Sequence, residues 1–291
     1  MSRHLIASTL QSLLQEATGR LRQAGLATPR LDAEVLLRHV LGIDRTQLFL
    51  RLPEVAPTEL PAHYESLLAR RLAGEPVAYI TETREFMGMG FRVTPAVLVP
   101  RPETELLVEW ALDWLATRPD SLVADIGTGS GAIAVAIAAL RPITQSQRTI
   151  AIDASLEAVE IARQNAVSLL RPPQQARFRS EQGSLMTTLT PPVDLVLANL
   201  PYLTPEQLTG NPNLAAEPSL ALDGGTDGLD LVRDLIADLP RVLVADGAVG
   251  LELDPSQTEM VTALLSELFP DAEVRTIHDL AGLPRHVVMT R

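Results

Sequence analysis

Apolar residues recur every three or four positions through most of the first 75 residues, which is the spacing of one helix face. The first helical stretch carries Leu10, Leu13, Leu14, Ala17 and Leu21. Gly25 and Gly42 are typical of helix ends, and Thr28-Pro29 is typical of a helix start. A further helix is predicted from Thr58 to Leu72. Short helices separated by glycine and proline predict a small helical bundle at residues 1–75.

The helical spacing ends at Gly74-Glu75-Pro76. Residues 85–94 then place glycines between two short strand-like pieces, which predicts a β-hairpin. Several prolines mark the loop that follows, and its segment PRPETE leads into a helix predicted at about 103–117. Residues 76–102 are therefore interpreted as a linker that contains the hairpin.

From residue 121 onward, short apolar runs alternate with helical stretches. The strand candidates are residues 121–126, 149–153, 176–180, 193–198, 246–253 and 286–290. Alternation of strands and helices predicts an α/β domain with a doubly wound, parallel sheet. We assign this domain to residues 103–291.

Length and composition agree with one large and one small domain, since the chain has 291 residues and is 46% hydrophobic. No apolar run approaches the roughly 18 residues that a membrane span requires, so no membrane partner is expected. The N-terminus lacks a long apolar stretch followed by a small-residue cleavage site. The absence of cysteine excludes disulfides and thiolate chemistry. We therefore expect a cytoplasmic protein.

The charged residues narrow the possible chemistry. The net charge is −12, and residues 81–291 carry the whole excess, with 15 Arg against 28 Asp and Glu. Because binding to a phosphate backbone favours basic surfaces, no direct nucleic-acid partner is expected. Every basic residue is Arg, which excludes a Schiff-base lysine and a P-loop lysine. The five histidines have no metal-ligand spacing, so no metal is predicted.

A glycine-rich loop joins the first predicted strand to the next helix. Its sequence is Asp125-Ile-Gly127-Thr128-Gly129-Ser130-Gly131, and Asp153 follows 22 residues later at the end of the second strand. Glycines let a ligand approach the backbone, and an acid at the position of Asp153 can accept the hydroxyls of a ribose. The acid before the glycines suits a cationic ligand such as S-adenosylmethionine, which carries a sulfonium and an ammonium and no phosphate.

Other interpretations of this loop stay open. Gly127, Gly129 and Ala132 also fit the dinucleotide fingerprint of nicotinamide and flavin enzymes. Asp125 could instead cap the turn by binding the loop's own N–H groups. Asp153 could instead cap a helix that starts near Ser155.

The fourth predicted strand ends in Asn199-Leu200-Pro201-Tyr202. In doubly wound sheets, ligands bind beyond the carboxyl ends of the strands, so these residues are expected beside the glycine loop. The Asn199 oxygen and the Leu200 carbonyl could accept both hydrogens of a planar amide or of an aromatic NH₂ group. Tyr202 could offer a flat packing surface. The alternative is a plain strand end, since Thr204 to Gln207 is a good helix start.

Several motifs occur together and in one order along nearly the whole chain. They are Gly74-Glu-Pro-Val-Ala-Tyr-Ile80, Glu85-Phe-x-Gly88, Val99-Pro-Arg-Pro-Glu-Thr-Glu105, Asp125 to Gly131, Asn199-x-Pro-Tyr202, Glu217-Pro218 and Leu222 to Leu229. On these motifs the sequence resembles the release factor glutamine methyltransferases of the PrmC/HemK family, which are class I S-adenosylmethionine-dependent methyltransferases. The PRPETE segment is the most discriminating part of the resemblance.

The resemblance implies a Rossmann-like, mostly parallel seven-stranded sheet and an N-terminal domain that helps to dock the release factor. It implies transfer of a methyl group to N5 of the glutamine in the Gly-Gly-Gln motif of peptide chain release factors, with S-adenosyl-L-homocysteine as the second product. Gly127 to Gly131 and Asp153 would bind the cofactor, and Asn199 to Tyr202 would hold the glutamine amide. The cofactor site would also include Asp125, Ser184, Leu185 and Asn199.

Two positions depart from the family pattern. Leu200 replaces a proline, which removes one φ restraint but leaves the carbonyl available. Ser184-Leu185 stands where the family often has an acid beside the adenine, so weaker cofactor binding is expected. The alternatives are an N6-adenine nucleic-acid methyltransferase, methylation of a glutamine in another translation protein, a dinucleotide-dependent oxidoreductase, and an inactive methyltransferase fold whose helical domain binds a partner.

Overall fold

The computed structural model describes residues 8–142, 146–190, 192–211 and 214–291. The chain divides into two compact units, Met1–Glu82 and Thr83–Arg291. The predicted linker, residues 76–102, is shared between these units. Within the described ranges, none of the helices has both the length and the apolar character needed to cross a membrane.

The described part of the first unit, residues 8–82, is helical. It contains α1 (Leu10–Gln23), α2 (Pro29–Leu41), α3 (Arg45–Arg51), α4 (Leu60–Leu72) and α5 (Val77–Ile80). The helix ends follow from the sequence: the Thr9 side chain caps α1, and Gly42 ends α2 in the left-handed conformation that glycine tolerates best. The core is built from inward-facing leucines, all 0–2% exposed, which are Leu10, Leu14, Leu21, Leu36, Leu37, Leu48 and Leu68.

The second unit begins with the predicted hairpin. Strands β1 (Thr83–Phe86) and β2 (Met89–Arg92) pair antiparallel. The two turn residues, Met87 and Gly88, both have positive φ, which matches the right-handed twist of the strands. Helix α6 (Thr104–Leu115) follows, two residues shorter at its C-terminal end than the predicted helix. The hairpin prediction is confirmed.

The rest of the second unit is a mostly parallel sheet with helices between its strands. The strands are β3 (Leu122–Ile126), β4 (Arg148–Asp153), β5 (Phe178–Gln182), β6 (Val193–Ala198), β7 (Leu243–Glu252), β8 (Glu273–His278) and β9 (Pro284–Thr290). The helices are α7 (Ala132–Leu140), α8 (Leu156–Leu169), α9 (Pro172–Gln175), α10 (Pro205–Gly210), α11 (Asp230–Val242) and α12 (Thr258–Leu268). The strand order is β5-β4-β3-β6-β7-β9-β8, and β9 runs antiparallel to both of its neighbours.

The order of the strands reverses at β3. The chain moves outward from β3 to β4 and β5, then returns to place β6 on the other side of β3. A crevice forms beyond the carboxyl ends of the strands at such a reversal. β3 and β6 are entirely or almost entirely buried, which explains their continuous apolar sequences.

The predicted doubly wound, seven-stranded fold is confirmed. Strand boundaries differ by a few residues: the strand predicted at 176–180 lies at Phe178–Gln182, and the strand predicted to begin at 246 begins at Leu243. The apolar pattern gives no candidate for β8. This strand lies at the edge of the sheet, where its Glu-Val-Arg-Thr-Ile-His sequence alternates between exposed and partly buried positions, so it contains no apolar run.

Candidate active site

A cavity of about 550 Å³ lies beyond the carboxyl ends of β3, β4 and β6. This volume is within the range of small-molecule sites, and the position is the one expected from the reversal in strand order. The lining residues are drawn from segments 95–104, 126–133, 153–158, 183–185, 199–201 and 218–231. Most of the predicted site residues are therefore brought together around one space.

The glycine loop turns back on itself between β3 and α7. Gly127, Gly129 and Gly131 have φ values of 72°, 54° and 79°, a region that side chains other than glycine rarely adopt. A Cβ on Gly127 would lie 2.9 Å from Leu200 Cδ2, so the Leu200 side chain packs closely against the loop at this glycine.

Four N–H groups of this loop, those of Gly127, Thr128, Gly129 and Gly131, are bound within the protein. The Gly127 and Thr128 amides donate to the Ile152 carbonyl at 2.9 and 3.0 Å, and the Gly131 amide donates to the Thr128 carbonyl at 2.8 Å. The Gly129 amide donates to Asp153 Oδ2 at 2.9 Å. A pyrophosphate would need such N–H groups as free donors. These four N–H groups are therefore not available to a ligand.

Asp125 lies behind the loop and is not among the residues that line the cavity. One carboxylate oxygen, Oδ2, accepts from Thr128 Oγ1 at 2.6 Å and from the Ala134 amide at 3.1 Å. Burial raises the pKa of Asp125 to about 7, although both hydrogen bonds act in the opposite direction. Asp125 thus holds the turn, as the capping alternative predicts, but through the Thr128 hydroxyl and an amide of α7 and not through N–H groups of the loop.

Asp153 lines the cavity at the end of β4. Its Oδ1 accepts from the Ser155 amide at 2.9 Å, and its Oδ2 accepts from the Gly129 amide. Burial raises the pKa of this carboxyl above its ordinary value. Ser155, and not Asp153, caps α8, because the Ser155 hydroxyl accepts from the Ala158 amide. Each oxygen of Asp153 keeps a lone pair with which it can accept a ligand hydroxyl.

Ser184 and Leu185 line the cavity after β5. Leu185 has a φ of 48°, which is uncommon for a branched residue and marks local backbone strain. The Ser184 carbonyl accepts from Thr187 twice, from the amide at 3.1 Å and from the hydroxyl at 2.8 Å, and so fixes the turn. The strained turn presents both residues to the cavity.

Asn199, Leu200 and Pro201 line the cavity wall that follows β6. The Asn199 side-chain nitrogen Nδ2 donates to Thr104 Oγ1 at 3.2 Å, an interaction between residues 95 positions apart. Leu200 is only 4% exposed, and its side chain packs against the glycine loop. The predicted neighbourhood of the asparagine and the glycine loop is thus observed.

Tyr202 is not among the lining residues. Its carbonyl accepts from Gln257 Nε2 at 2.9 Å, and a Cβ on Gly228 would lie 2.1 Å from the same carbonyl oxygen. Burial, with a smaller effect of the nearby Glu252, raises the pKa of Tyr202 to about 12. The flat packing surface predicted at the cavity is therefore not supplied by Tyr202 in this conformation.

The PRPETE segment contributes contacts that the sequence pattern did not assign. Arg101 lines the cavity and forms an ion pair with Glu217, whose side chain is 4% exposed and also accepts from the Val99 amide at 3.3 Å. Glu105 Oε1 accepts from the Met87 amide at 2.6 Å, in the hairpin turn. The motif order had pointed to this segment, but only the fold reveals its partners.

No group of three or more His, Asp or Glu side chains in the described ranges could hold a metal ion. The charged residues of the cavity are Asp153, Glu157 and Arg101. The site is therefore suited to binding and orienting groups through hydrogen bonds.

Comparison with known proteins gives matches for both units. The family model for the PrmC N-terminal domain matches residues 12–81, and the model for ribosomal protein L11 methyltransferase (PrmA) matches residues 102–201. The chain is 39% identical over 279 residues to the release factor glutamine methyltransferase of Deinococcus radiodurans, with 96% of this chain and 97% of that protein covered. It is 42% identical over 262 residues to the enzyme of the same name from Burkholderia pseudomallei, with 88% and 90% covered.

Among solved structures, the chain is similar to the hMettl16 catalytic domain, which was determined in complex with the MAT2A 3′UTR hairpin 6. The TM-score is 0.56 at 15% identity, over 77% of this chain and 81% of that one. A similarity at this identity concerns the methyltransferase fold alone.

Proposed function

The chain belongs to the release factor glutamine methyltransferase family, and from this we propose that it methylates N5 of the glutamine in the Gly-Gly-Gln motif of peptide chain release factors. The methyl donor is S-adenosylmethionine. The observation that carries the proposal is that Asn199 lines the same cavity as Asp153 and the glycine loop. An amide-binding group and a cofactor-binding loop therefore share one space.

The residues of the cavity fit S-adenosylmethionine. The carboxylate of Asp153, beside the loop, suits a cationic ligand without phosphate. No atom lies within 4 Å of a Cβ placed on Gly129, which leaves open space at that turn. Asp153 would hold the ribose hydroxyls, Gly127 to Gly131 would face the amino acid part, and Ser184 and Leu185 would contact the adenine. When bound, the cofactor supplies an electrophilic methyl group on a sulfonium.

Asn199 and Leu200 orient the acceptor. An amide nitrogen is a poor nucleophile because its lone pair is delocalised into the carbonyl. Asn199 Oδ1 accepts one N–H of the glutamine amide, and the Leu200 carbonyl accepts the other. Held in this way, the nitrogen lone pair points toward the methyl group, so positioning supplies most of the rate enhancement. Asp125 contributes by holding the glycine loop through Thr128 and Ala134.

The two departures from the family pattern have limited consequences. The Leu200 side chain packs against Gly127, a contact that restrains this segment where the proline is missing. Leu185 is partly buried against the sheet core and offers an apolar surface to the adenine. Ser184 can add one hydrogen bond. A modest loss of cofactor affinity, without loss of activity, is expected.

We propose that the helical first unit contacts the release factor. Several large apolar side chains are exposed on it, namely Leu31, Phe49, Leu50 and Val55 at 44–76%. Exposed apolar side chains of this size are typical of protein-binding surfaces when they cluster. These four side chains are therefore the positions at which we test the docking role of this unit.

The decisive experiment measures methyl transfer from labelled S-adenosylmethionine to purified release factor. The control substrate is the same factor with its Gly-Gly-Gln glutamine replaced by alanine. Asn199→Ala should lower kcat by roughly 100-fold or more, because a contact made to the reacting amide is lost, while the Kd of the cofactor changes by less than about threefold. Leu50→Glu should raise only the KM for the release factor.

Each result has a clear meaning. Label on the intact factor alone, lost with Asn199→Ala, supports substrate and site together. Label on a DNA or RNA oligonucleotide in place of the factor would favour the N6-adenine alternative. Binding of a nicotinamide dinucleotide in place of S-adenosylmethionine would contradict the assignment of the cavity.

A further inference from the structure

Thr104 is the first residue of α6 and is almost completely buried, at 4% exposure. It lines the same cavity as Asn199. Its hydroxyl oxygen is the acceptor for the Asn199 side-chain N–H, at a distance of 3.2 Å. A second side-chain hydrogen bond from the PRPETE segment to the chain beyond β6 joins Arg101 to Glu217.

We propose that Thr104 is a positioning residue for methyl transfer, an inference that rests on the proposed function. The hydroxyl takes one N–H of the Asn199 amide and thereby fixes the plane of that side chain. A glutamine NH₂ group in the cavity selects the orientation in which Asn199 Oδ1 faces it, because the opposite orientation would bring two NH₂ groups together. In the selected orientation, the Asn199 Nδ2 group points away from the glutamine amide, and Thr104 Oγ1 accepts a hydrogen bond from it.

The position of Thr104 is itself held from several directions. Arg101, three residues earlier, is ion-paired with Glu217, and Glu105 accepts from the Met87 amide. Helix α6 lies close against β7, since a Cβ on Gly250 would be 2.7 Å from both Leu107 and Trp110. A hydroxyl on such a rigid element can fix a neighbouring side chain, as catalysis by positioning requires.

Removal of the hydroxyl should lower kcat more than it affects binding. Without Thr104 Oγ1, the Asn199 N–H that binds Thr104 is buried without a partner, and the amide rotates to find one. Thr104→Val keeps the shape and branching of the side chain, whereas Thr104→Ser keeps the hydroxyl. We expect Thr104→Val to lower kcat roughly 10- to 100-fold and Thr104→Ser to remain within about threefold of the wild type.

The test compares these two variants in methyl transfer to the release factor, with the Kd of S-adenosylmethionine measured by calorimetry. Equal losses in Thr104→Val and Thr104→Ser would assign Thr104 to packing and overturn the proposal. A loss of cofactor affinity that matches the loss of kcat would make it a cofactor ligand instead. The double variant Thr104→Val/Asn199→Ala should be no slower than Asn199→Ala alone, because Thr104 acts through Asn199.

A second measurement does not depend on activity. In ¹⁵N-labelled protein, the side-chain NH₂ signals of Asn199 are identified by their absence from Asn199→Asp. Hydrogen exchange at the Thr104-bonded N–H should be slow in the wild type and in Thr104→Ser, and at least about tenfold faster in Thr104→Val. If the wild type labels no release factor but this pattern holds, the proposed function fails and the positioning contact stands. Unchanged exchange in Thr104→Val overturns the inference.

Discussion

The two walls of the cavity are built in different ways. The wall that we propose to face the cofactor, called the cofactor wall, is made from β3, β4 and the glycine loop, and it is closed by bonds that involve backbone N–H groups, such as those from Gly127 and Thr128 to Ile152. The wall that we propose to face the acceptor amide, called the acceptor wall, is joined by side chains. Thr104 binds Asn199, and Arg101 binds Glu217.

Because of this difference, substitutions on the two walls should change different quantities. A loop held largely through its backbone N–H groups keeps its shape when most single side chains change, so substitutions of residues that line that wall should affect mainly the binding of the ligand. A wall held by side-chain pairs loses alignment when one partner is removed. Substitutions there should affect mainly kcat, because alignment matters most when the methyl group is transferred.

The largest effect is expected at Asp125, which lies behind the cofactor wall. Burial raises the pKa of Asp125 from 3.8 to about 7, so between these values the folded protein binds a proton that the unfolded chain has released. The free energy of unfolding should therefore fall as pH rises through this window and level off above it, by up to about 4 kcal/mol. Asp125→Asn should remove this dependence, since asparagine can keep both bonds that Oδ2 accepts.

Urea unfolding of the wild type and Asp125→Asn, from about pH 4.5 to 8.5, measures the difference between the two profiles. The same variant should bind S-adenosylmethionine within about threefold of the wild type, because Asp125 touches the loop and does not line the cavity. Parallel profiles would contradict the raised pKa. A large loss of affinity would show that Asp125 acts on the ligand.

The next effect is at Asp153, which touches both the loop and the cavity. Asp153→Asn should raise the Kd of S-adenosylmethionine roughly 10- to 100-fold, because a carboxylate that accepts from Gly129 and from a ribose is replaced by an amide. At saturating cofactor, kcat should stay close to that of the wild type. Isothermal calorimetry and saturation kinetics measure the two quantities separately.

Asp194→Asn is the matched control for this variant. Asp194 Oδ2 accepts from the Leu122 amide at 2.6 Å, at the opposite end of β3, and Asp194 does not line the cavity. We expect a loss of stability of about 1 kcal/mol without a change in the Kd of the cofactor. Equal losses of affinity in both variants would mean that the cofactor wall responds to general destabilisation and not to a direct contact.

The same contrast explains what could be predicted from the sequence. The cofactor wall lies within a short stretch, because Asp153 follows Gly131 by 22 residues, and the local spacing was sufficient to predict that Asp153 and the glycine loop lie side by side. The acceptor wall joins residues 95 and 116 positions apart, Thr104 with Asn199 and Arg101 with Glu217. No local pattern specifies such pairs, so they became visible only when the fold brought the segments together.

The positions of Tyr202 and Leu185 also could not be predicted from the sequence pattern. Tyr202 is the last residue of a recognisable motif. Its position is set by contacts with distant residues, since its carbonyl accepts from Gln257 and lies close to Gly228. The left-handed backbone of Leu185 contradicts the usual preference of leucine, so nothing in its sequence indicates that turn.

The smallest effect is expected at Arg101 and Glu217, and it tests the side-chain wall most directly. The Arg101 side chain is 34% exposed and that of Glu217 is 4% exposed, so the loss of the cation leaves a buried carboxylate without its partner. Arg101→Gln should therefore lower kcat more than Glu217→Gln does. The addition of Glu217→Gln to Arg101→Gln should restore part of the activity, with a coupling energy of about 1 kcal/mol from the double-mutant cycle.

The exposed pair of Arg163 and Glu160 on α8 provides the control, with side chains that are 58% and 46% exposed. Arg163→Gln should leave kcat, KM and the Kd of the cofactor unchanged, because an ion pair in solvent contributes little. If Arg101→Gln has no more effect than Arg163→Gln, the acceptor wall does not depend on its long-range pairs, and the contrast between the two walls fails. If Arg101→Gln lowers kcat and Glu217→Gln partly restores it, buried charge on the acceptor wall is balanced specifically by Arg101. Alignment of the acceptor then depends on a residue that never touches the glutamine amide.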